Sequence, residues 1–115
     1  MSIVKHDEVR FEDVTMEGVS GVVKADVIGQ AQGWESHRLR VFKLEPQGYT
    51  PRHKHPWEHV NYVISGRGRL HLAGEDGDIV AGDFICVPPD TEHQFQNPYD
   101  EPLQFICIVP NAATS

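Results

Sequence analysis

Cysteine is scarce in this chain. Two residues, Cys86 and Cys107, cannot build a disulfide framework, and free thiols are expected. Basic residues are also few. Ten Lys and Arg against 17 Asp and Glu leave a net charge of −7, which argues against nucleic acid, whose phosphates attract lysine and arginine, and against a basic membrane-surface helix. Long apolar runs are missing: the stretch 105–109 is far too short to span a bilayer. Residues 1–14 alternate charged and apolar side chains and lack the apolar centre of a signal peptide, so a cytoplasmic protein is expected. Helical periodicity is absent beyond a turn or two. At 115 residues the chain suits one core, and a single domain over 1–115 is expected.

Glycine and proline, by contrast, punctuate the whole chain, with 10 and 8 copies. Between them lie short β-prone runs at 22–28, 38–44, 60–64, 69–73, 84–87, 92–96 and 103–109. Turns are expected at 45–48, 65–68, 74–77 and 81–83. Many short strands broken in this way indicate an all-β sandwich or barrel. Residues 1–13 are polar and suit the surface or a neighbouring subunit. The stretch 29–36 reads as a loop, in which Trp34 is either a hydrophobic plug or a substrate lid. A small polar tail follows Pro110.

Histidine carries the chemistry. His53, His55 and His59 fall within seven residues, and on an extended segment their side chains share one face. His93 follows in the run Pro88-Pro89-Asp90-Thr91-Glu92-His93. Three imidazoles on one face suit a divalent transition metal. His6, His37 and His71 fit no such pattern and are expected on the surface.

Two spacings resemble the paired motifs of the cupin family. Gly48-x4-His53-x-His55-x3-His59-x6-Gly66 is similar to its first motif, residues 48–66. Gly82-x5-Pro88-x-Asp90-x2-His93-x3-Asn97 is similar to its second, residues 82–97. Asp90 stands where the family often has glycine, which a short polar side chain in a turn can replace. The resemblance implies a double-stranded β-helix, or jelly-roll barrel, with one metal in its mouth. The usual first motif supplies two histidines and a glutamate. Here His59 takes the glutamate's place, and Glu58 is out of register. The resemblance therefore implies His53, His55, His59 and His93 as ligands of one divalent transition metal. It favours Mn or Fe, while imidazole ligands also suit Zn, Ni or Cu.

Four neutral imidazoles would leave the ion its full double charge, favouring anions and disfavouring a trivalent state. Such ligands must be deprotonated, so metal binding is expected to weaken below about pH 6. Alternation from His59 puts Asn61 and Val63 inside the barrel, and alternation from His93 adds Phe95. The last strand is expected to turn Phe105 and Cys107 inward. With Trp34 these residues form the expected pocket, an apolar small-molecule site in which Cys107 would be the most oxidisable group.

The leading functional expectation is a metal-dependent, dioxygenase-like oxidoreductase acting on a small, partly apolar molecule. The alternatives are a non-redox isomerase, cyclase or lyase, and a ligand-binding or sensing module. A homodimer is expected through the outward Ile106 and Ile108 and the N-terminal segment.

Overall fold

The computed structural model describes residues 2–113; Met1, Thr114 and Ser115 lie outside the described residues. The strands in chain order are β1 (Glu12–Asp13), β2 (Ser20–Ile28), β3 (His37–Tyr49), β4 (His59–Ser65), β5 (Arg67–Leu72), β6 (Glu75–Val80), β7 (Phe84–Val87), β8 (His93–Gln96) and β9 (Leu103–Pro110). Among the described residues, helix is confined to two 3-10 turns at His6–Glu8 and Gln30–Gln32. No helix among them is long and apolar enough to cross a membrane. The strands hydrogen-bond in the order β6-β5-β8-β3-β9-β4-β7, with β2 on β3 and β1 on β2, and the sheet curls into a half-barrel, in keeping with the expected jelly-roll barrel.

Alternation sets the inside. On β9, Leu103, Phe105, Cys107 and Val109 are buried, while Gln104, Ile106 and Ile108 are only half-buried. On β4, His59, Asn61 and Val63 are buried, and on β8, His93 and Phe95 are. The choice of inward face on the last strand therefore agrees with the structure. Complete burial of a side chain such as Phe105 contributes about 1.5–3 kcal/mol relative to exposure. Beyond β8, buried Asn97 closes the second motif: its Nδ2 donates to the carbonyls of Leu44 (3.1 Å) and Glu101 (2.7 Å), and its Oδ1 accepts from the Tyr99 N–H (3.1 Å).

Three expectations are corrected. First, residues 45–48 do not reverse the chain. β3 runs through them, Ser20 pairs with Tyr49 and Val22 with Leu44, so residues 45–48 stand opposite Gly21 alone. Gln47 adopts φ 70°, and a Cβ at Gly48 would lie 2.8 Å from the Gly21 carbonyl oxygen. The turn-forming residues here build a bulge that bends one strand. Second, 65–68 is no hairpin. β4 pairs with β7 and β9, β5 with β6 and β8, and Gly66 carries the chain between these separate partners. Third, His71 is buried, not on the surface. Its Nδ1 meets Asp76 Oδ1 at 2.8 Å and its Nε2 meets Glu92 Oε1 at 3.2 Å, so a carboxylate stands at each ring nitrogen. His6 is exposed and His37 half-buried.

Gly66 is the tightest of these crossings. Its φ is +79°, and a Cβ there would be driven into the Pro102 carbonyl oxygen. Gly66→Ala is expected to destabilise the fold by roughly 2–4 kcal/mol, read from urea midpoints. Gly77→Ala, where a Cβ meets nothing within 4 Å, should stay within about 0.5 kcal/mol of the parent.

Candidate metal centre

The histidine-bearing segments meet at an isolated bridge. The His53 N–H donates to the His93 carbonyl at 3.2 Å, and the His93 N–H donates back at 2.9 Å. A further bond, Asp90 N–H to the His55 carbonyl at 2.8 Å, fastens the turn before β8 to the same segment. Asp90 has φ 56°, the left-handed conformation a glycine would supply. The segment from His53 to His59 is not the continuous extended strand expected. It bends at Pro56-Trp57 and enters β4 only at His59. Proline restricts the residue before it and has no N–H to offer a ladder, so the run is held by side chains instead. The Trp57 indole stacks on the His55 ring at 4.4 Å and 11°, and His55 Nδ1 lies 3.0 Å from the Trp57 carbonyl.

The rings converge. Nitrogens of His53, His55 and His93 all lie within 4.8 Å of one another, and these three could hold a metal ion. His59 joins through His93, with Nε2 to Nε2 at 3.2 Å. Glu58 is exposed.

The hydrogen bonds fix the tautomers. His55 Nδ1 faces the Trp57 carbonyl and His93 Nδ1 the Thr91 carbonyl (2.8 Å), so each must donate. His59 Nδ1 faces Asn61 Oδ1 at 2.6 Å, and Asn61 is oriented by Nδ2 donating to the Ile106 carbonyl at 3.2 Å. Each neutral ring therefore presents an Nε2 lone pair inward, the second-shell pattern of metal-binding histidines. Two such lone pairs at 3.2 Å repel each other unless a cation lies between them. A shared proton is disfavoured: burial pushes His59 down to about 4 and also lowers His93. Two nitrogens bound cis to one ion at about 2.0–2.1 Å lie about 3 Å apart. The donor set therefore fits a divalent metal.

A cavity of about 350 Å³ opens beside the cluster. Of the expected pocket residues, Asn61, Phe95, Phe105 and Cys107 line it together with the four histidines. Val63 and Trp34 do not. Val63 is fully buried in the core against its cross-strand partner Phe105, and half-buried Trp34 stacks on His37 at 5.5 Å. Sequence reasoning missed Lys24, Arg40 and Phe42, which also line the cavity. Their signal was available: stepping back in twos from buried Leu44 puts Phe42 and Arg40 on the same face. Cys107 is held as a thiol, because burial pushes it above its ordinary range even though Arg40 Nη2 donates to its Sγ at 3.4 Å.

Acid should loosen the metal-free protein. His53 and His59 fall from 6.5 to about 4, chiefly through burial, so the unfolded chain binds protons at these rings before the folded one. Their neutrality stabilises the fold above 6.5, and that contribution is lost as pH falls toward about 4. Urea midpoints of metal-free protein should therefore drop across this window, with a smaller drop for His59→Gln. Metal should also persist below the pH near 6 expected for ordinary imidazoles, since these rings hold off protons further into acid.

Known proteins resemble this chain over most of its length. The polyketide cyclase RemF from Streptomyces resistomycificus superposes with a TM-score of 0.89 at 28% identity, covering 96% of this chain and 79% of that one. An oxalate-binding protein from Thermotoga maritima is 27% identical over 112 residues, covering 93% of this chain and 92% of the relative. The 1-methylthio-D-xylulose 5-phosphate methylsulfurylase of Rhodospirillum rubrum is 31% identical over 71 residues, 62% of this chain but 46% of that protein. The chain thus spans less than half the length of this last relative. The cupin domain model matches residues 40–109, from the inward-facing Arg40 through both histidine segments to the end of the buried β9 row, and the chain belongs to the cupin domain family.

Proposed function

We propose that this chain is a metal-dependent enzyme of the non-redox kind, an isomerase, cyclase or lyase acting on a small, partly apolar carbonyl compound. His53, His55, His59 and His93 are its four ligands to one divalent ion. The observation that carries the metal is the pair of facing Nε2 lone pairs on His59 and His93, 3.2 Å apart. A bound divalent ion would supply Lewis acidity, polarising a carbonyl oxygen and making the neighbouring C–H more acidic. The chain's residues do the rest. Asn61 and the carbonyls of Trp57 and Thr91 hold three rings in the tautomer that points Nε2 inward. Phe105 stacks on Phe42 (5.5 Å) and on Phe95 (4.2 Å), an apolar wall that excludes water from the reacting end. An all-imidazole donor set does little to support a trivalent ion, and Cys107 is no pre-formed thiolate. The similarity to a polyketide cyclase supports the same reading.

The dioxygenase-like oxidoreductase using Mn or Fe is the second reading. It is favoured by the predominantly apolar cavity, which has room for a small molecule beside the histidines. The two readings part on metal identity. His55→Ala and His93→Ala should each lose stoichiometric metal by elemental analysis. Zinc-loaded protein in deuterated buffer should exchange the C–H between the carbonyls of benzoylacetone faster than the His93→Ala variant does. Oxygen uptake by Mn- or Fe-loaded protein, with no exchange by the zinc form, would transfer the assignment to the oxidoreductase.

The same reading includes a cytoplasmic homodimer. The outer face of β4 and β7 exposes Val60, Tyr62, Ile64 and Phe84, the last at 80%, beside half-buried Ile106 and Ile108. Tyr62 and Phe84 are cross-strand partners with rings 4.8 Å apart, so the patch is continuous. Light scattering at micromolar concentration should return twice the chain mass, and Phe84→Glu should return one.

A further inference from the structure

The cavity beside the histidines carries the opposite charge to the rest of the chain. The sequence has 17 acidic residues against 10 Lys and Arg. Yet Lys24 and Arg40 line this cavity, and among the described residues no carboxylate does. Chance placement in so acidic a chain would bring acids to the wall first.

The strand register explains how the two cations meet. On the β2–β3 pair Lys24 stands opposite Phe42, and Asp26 opposite Arg40. Lys24 and Arg40 are thus diagonal neighbours on one face, roughly 7–8 Å apart along the backbone and within joint reach of one small anion. Arg40 is 5% exposed, with its guanidinium 5.1 Å from the centre of the Phe42 ring. Asp26, on the same face opposite Arg40, is exposed and lines an adjoining open depression together with Lys24 and Arg40. Lys24 is in no ion pair among the described residues. A planar guanidinium matches a carboxylate in two-point geometry, and an ammonium adds charge without directional demand.

Phe42, opposite Lys24, stacks at 13° on Phe105, and both rings line the cavity with the cations and the histidines. The space of about 350 Å³ accommodates one ring with a short side chain. The cavity therefore combines two cations, an aromatic wall and the imidazole cluster.

We propose that Arg40 and Lys24 form an anion subsite, and that the cavity takes a small aromatic carboxylate. Its ring lies along Phe42 and Phe105, its carboxylate meets Arg40 and Lys24, and its far end is presented to the histidines. The presentation to the histidines rests on the metal-enzyme reading above; the anion subsite itself does not use the metal.

trans-Cinnamate and its neutral isostere trans-cinnamamide test this by calorimetry on the full chain loaded with zinc, with zinc content measured on the same samples. Cinnamate should bind at least about tenfold more tightly than cinnamamide. Arg40→Met should weaken cinnamate at least about tenfold and leave cinnamamide within about twofold. Lys24→Met, at a half-buried position, should weaken cinnamate a few-fold and supplies the test if Arg40→Met does not fold. Equal affinity for the two probes, no saturable cinnamate binding up to about 10 mM, or cinnamate binding unchanged in the folded variants overturns the subsite. In that last case the carboxylate is bound at the ion instead. Cinnamate binding that depends on Arg40 in protein that takes up no zinc would uphold the subsite while removing the metal reading. Stoichiometric zinc without preference for cinnamate would do the reverse.

Discussion

Two backbone hydrogen bonds between His53 and His93 hold the centre of this protein together. They form an isolated bridge between residues 40 positions apart, at 3.2 and 2.9 Å. Because a residue in a bridge has its Cβ direction set by its backbone, this pairing also sets where both imidazoles begin. The Asp90-to-His55 bond then fixes the turn that delivers β8, and β4 starts at His59 once the bend at Pro56-Trp57 is complete. Each histidine thus reaches the cluster by a different local device, and the backbone pairing makes those devices coincide.

Burial does the second part of the work. In water these rings would titrate near neutrality, and one proton could relieve the repulsion between the facing nitrogens of His59 and His93. Inside the barrel mouth, desolvation penalises the imidazolium, so the rings stay neutral and their lone pairs stay available. The Nδ1 partners are neutral acceptors, two carbonyls and one amide oxygen, which orient the rings without adding charge. The charged groups of the cavity stand elsewhere, at Lys24 and Arg40. Arg40 also acts on His59, where its charge adds to the effect of burial in keeping the ring neutral.

The fold was legible where alternation is strict. β7 and β8 lie within the sequence-based ranges, and the odd-numbered residues of β9 are buried as the polar Gln104 suggested. It was misread where residue types with two uses occur. Glu45-Pro46-Gln47-Gly48 has turn chemistry, but the same left-handed and glycine positions also build a bulge, and nothing local to these residues decides between reversal and bend. His71 reads as a surface residue in the sequence because its partners Asp76 and Glu92 belong to a hairpin and to a strand entry that only the sheet brings beside it.

What the sequence by itself determined is the periodic part: an all-β chain, four histidines in two matching segments, and the inward row of β9. Side-chain direction along a strand follows from spacing alone, so these needed no neighbours. What only the tertiary structure decided is everything that depends on which strands lie side by side. Val63 and Phe105 share the inward face, yet Val63 is sealed in the core and Phe105 forms cavity wall. Lys24 and Arg40 come together only through the β2–β3 register. The 3.2 Å meeting of His59 and His93 exists because strands far apart in the chain close around one mouth, a separation no local spacing encodes.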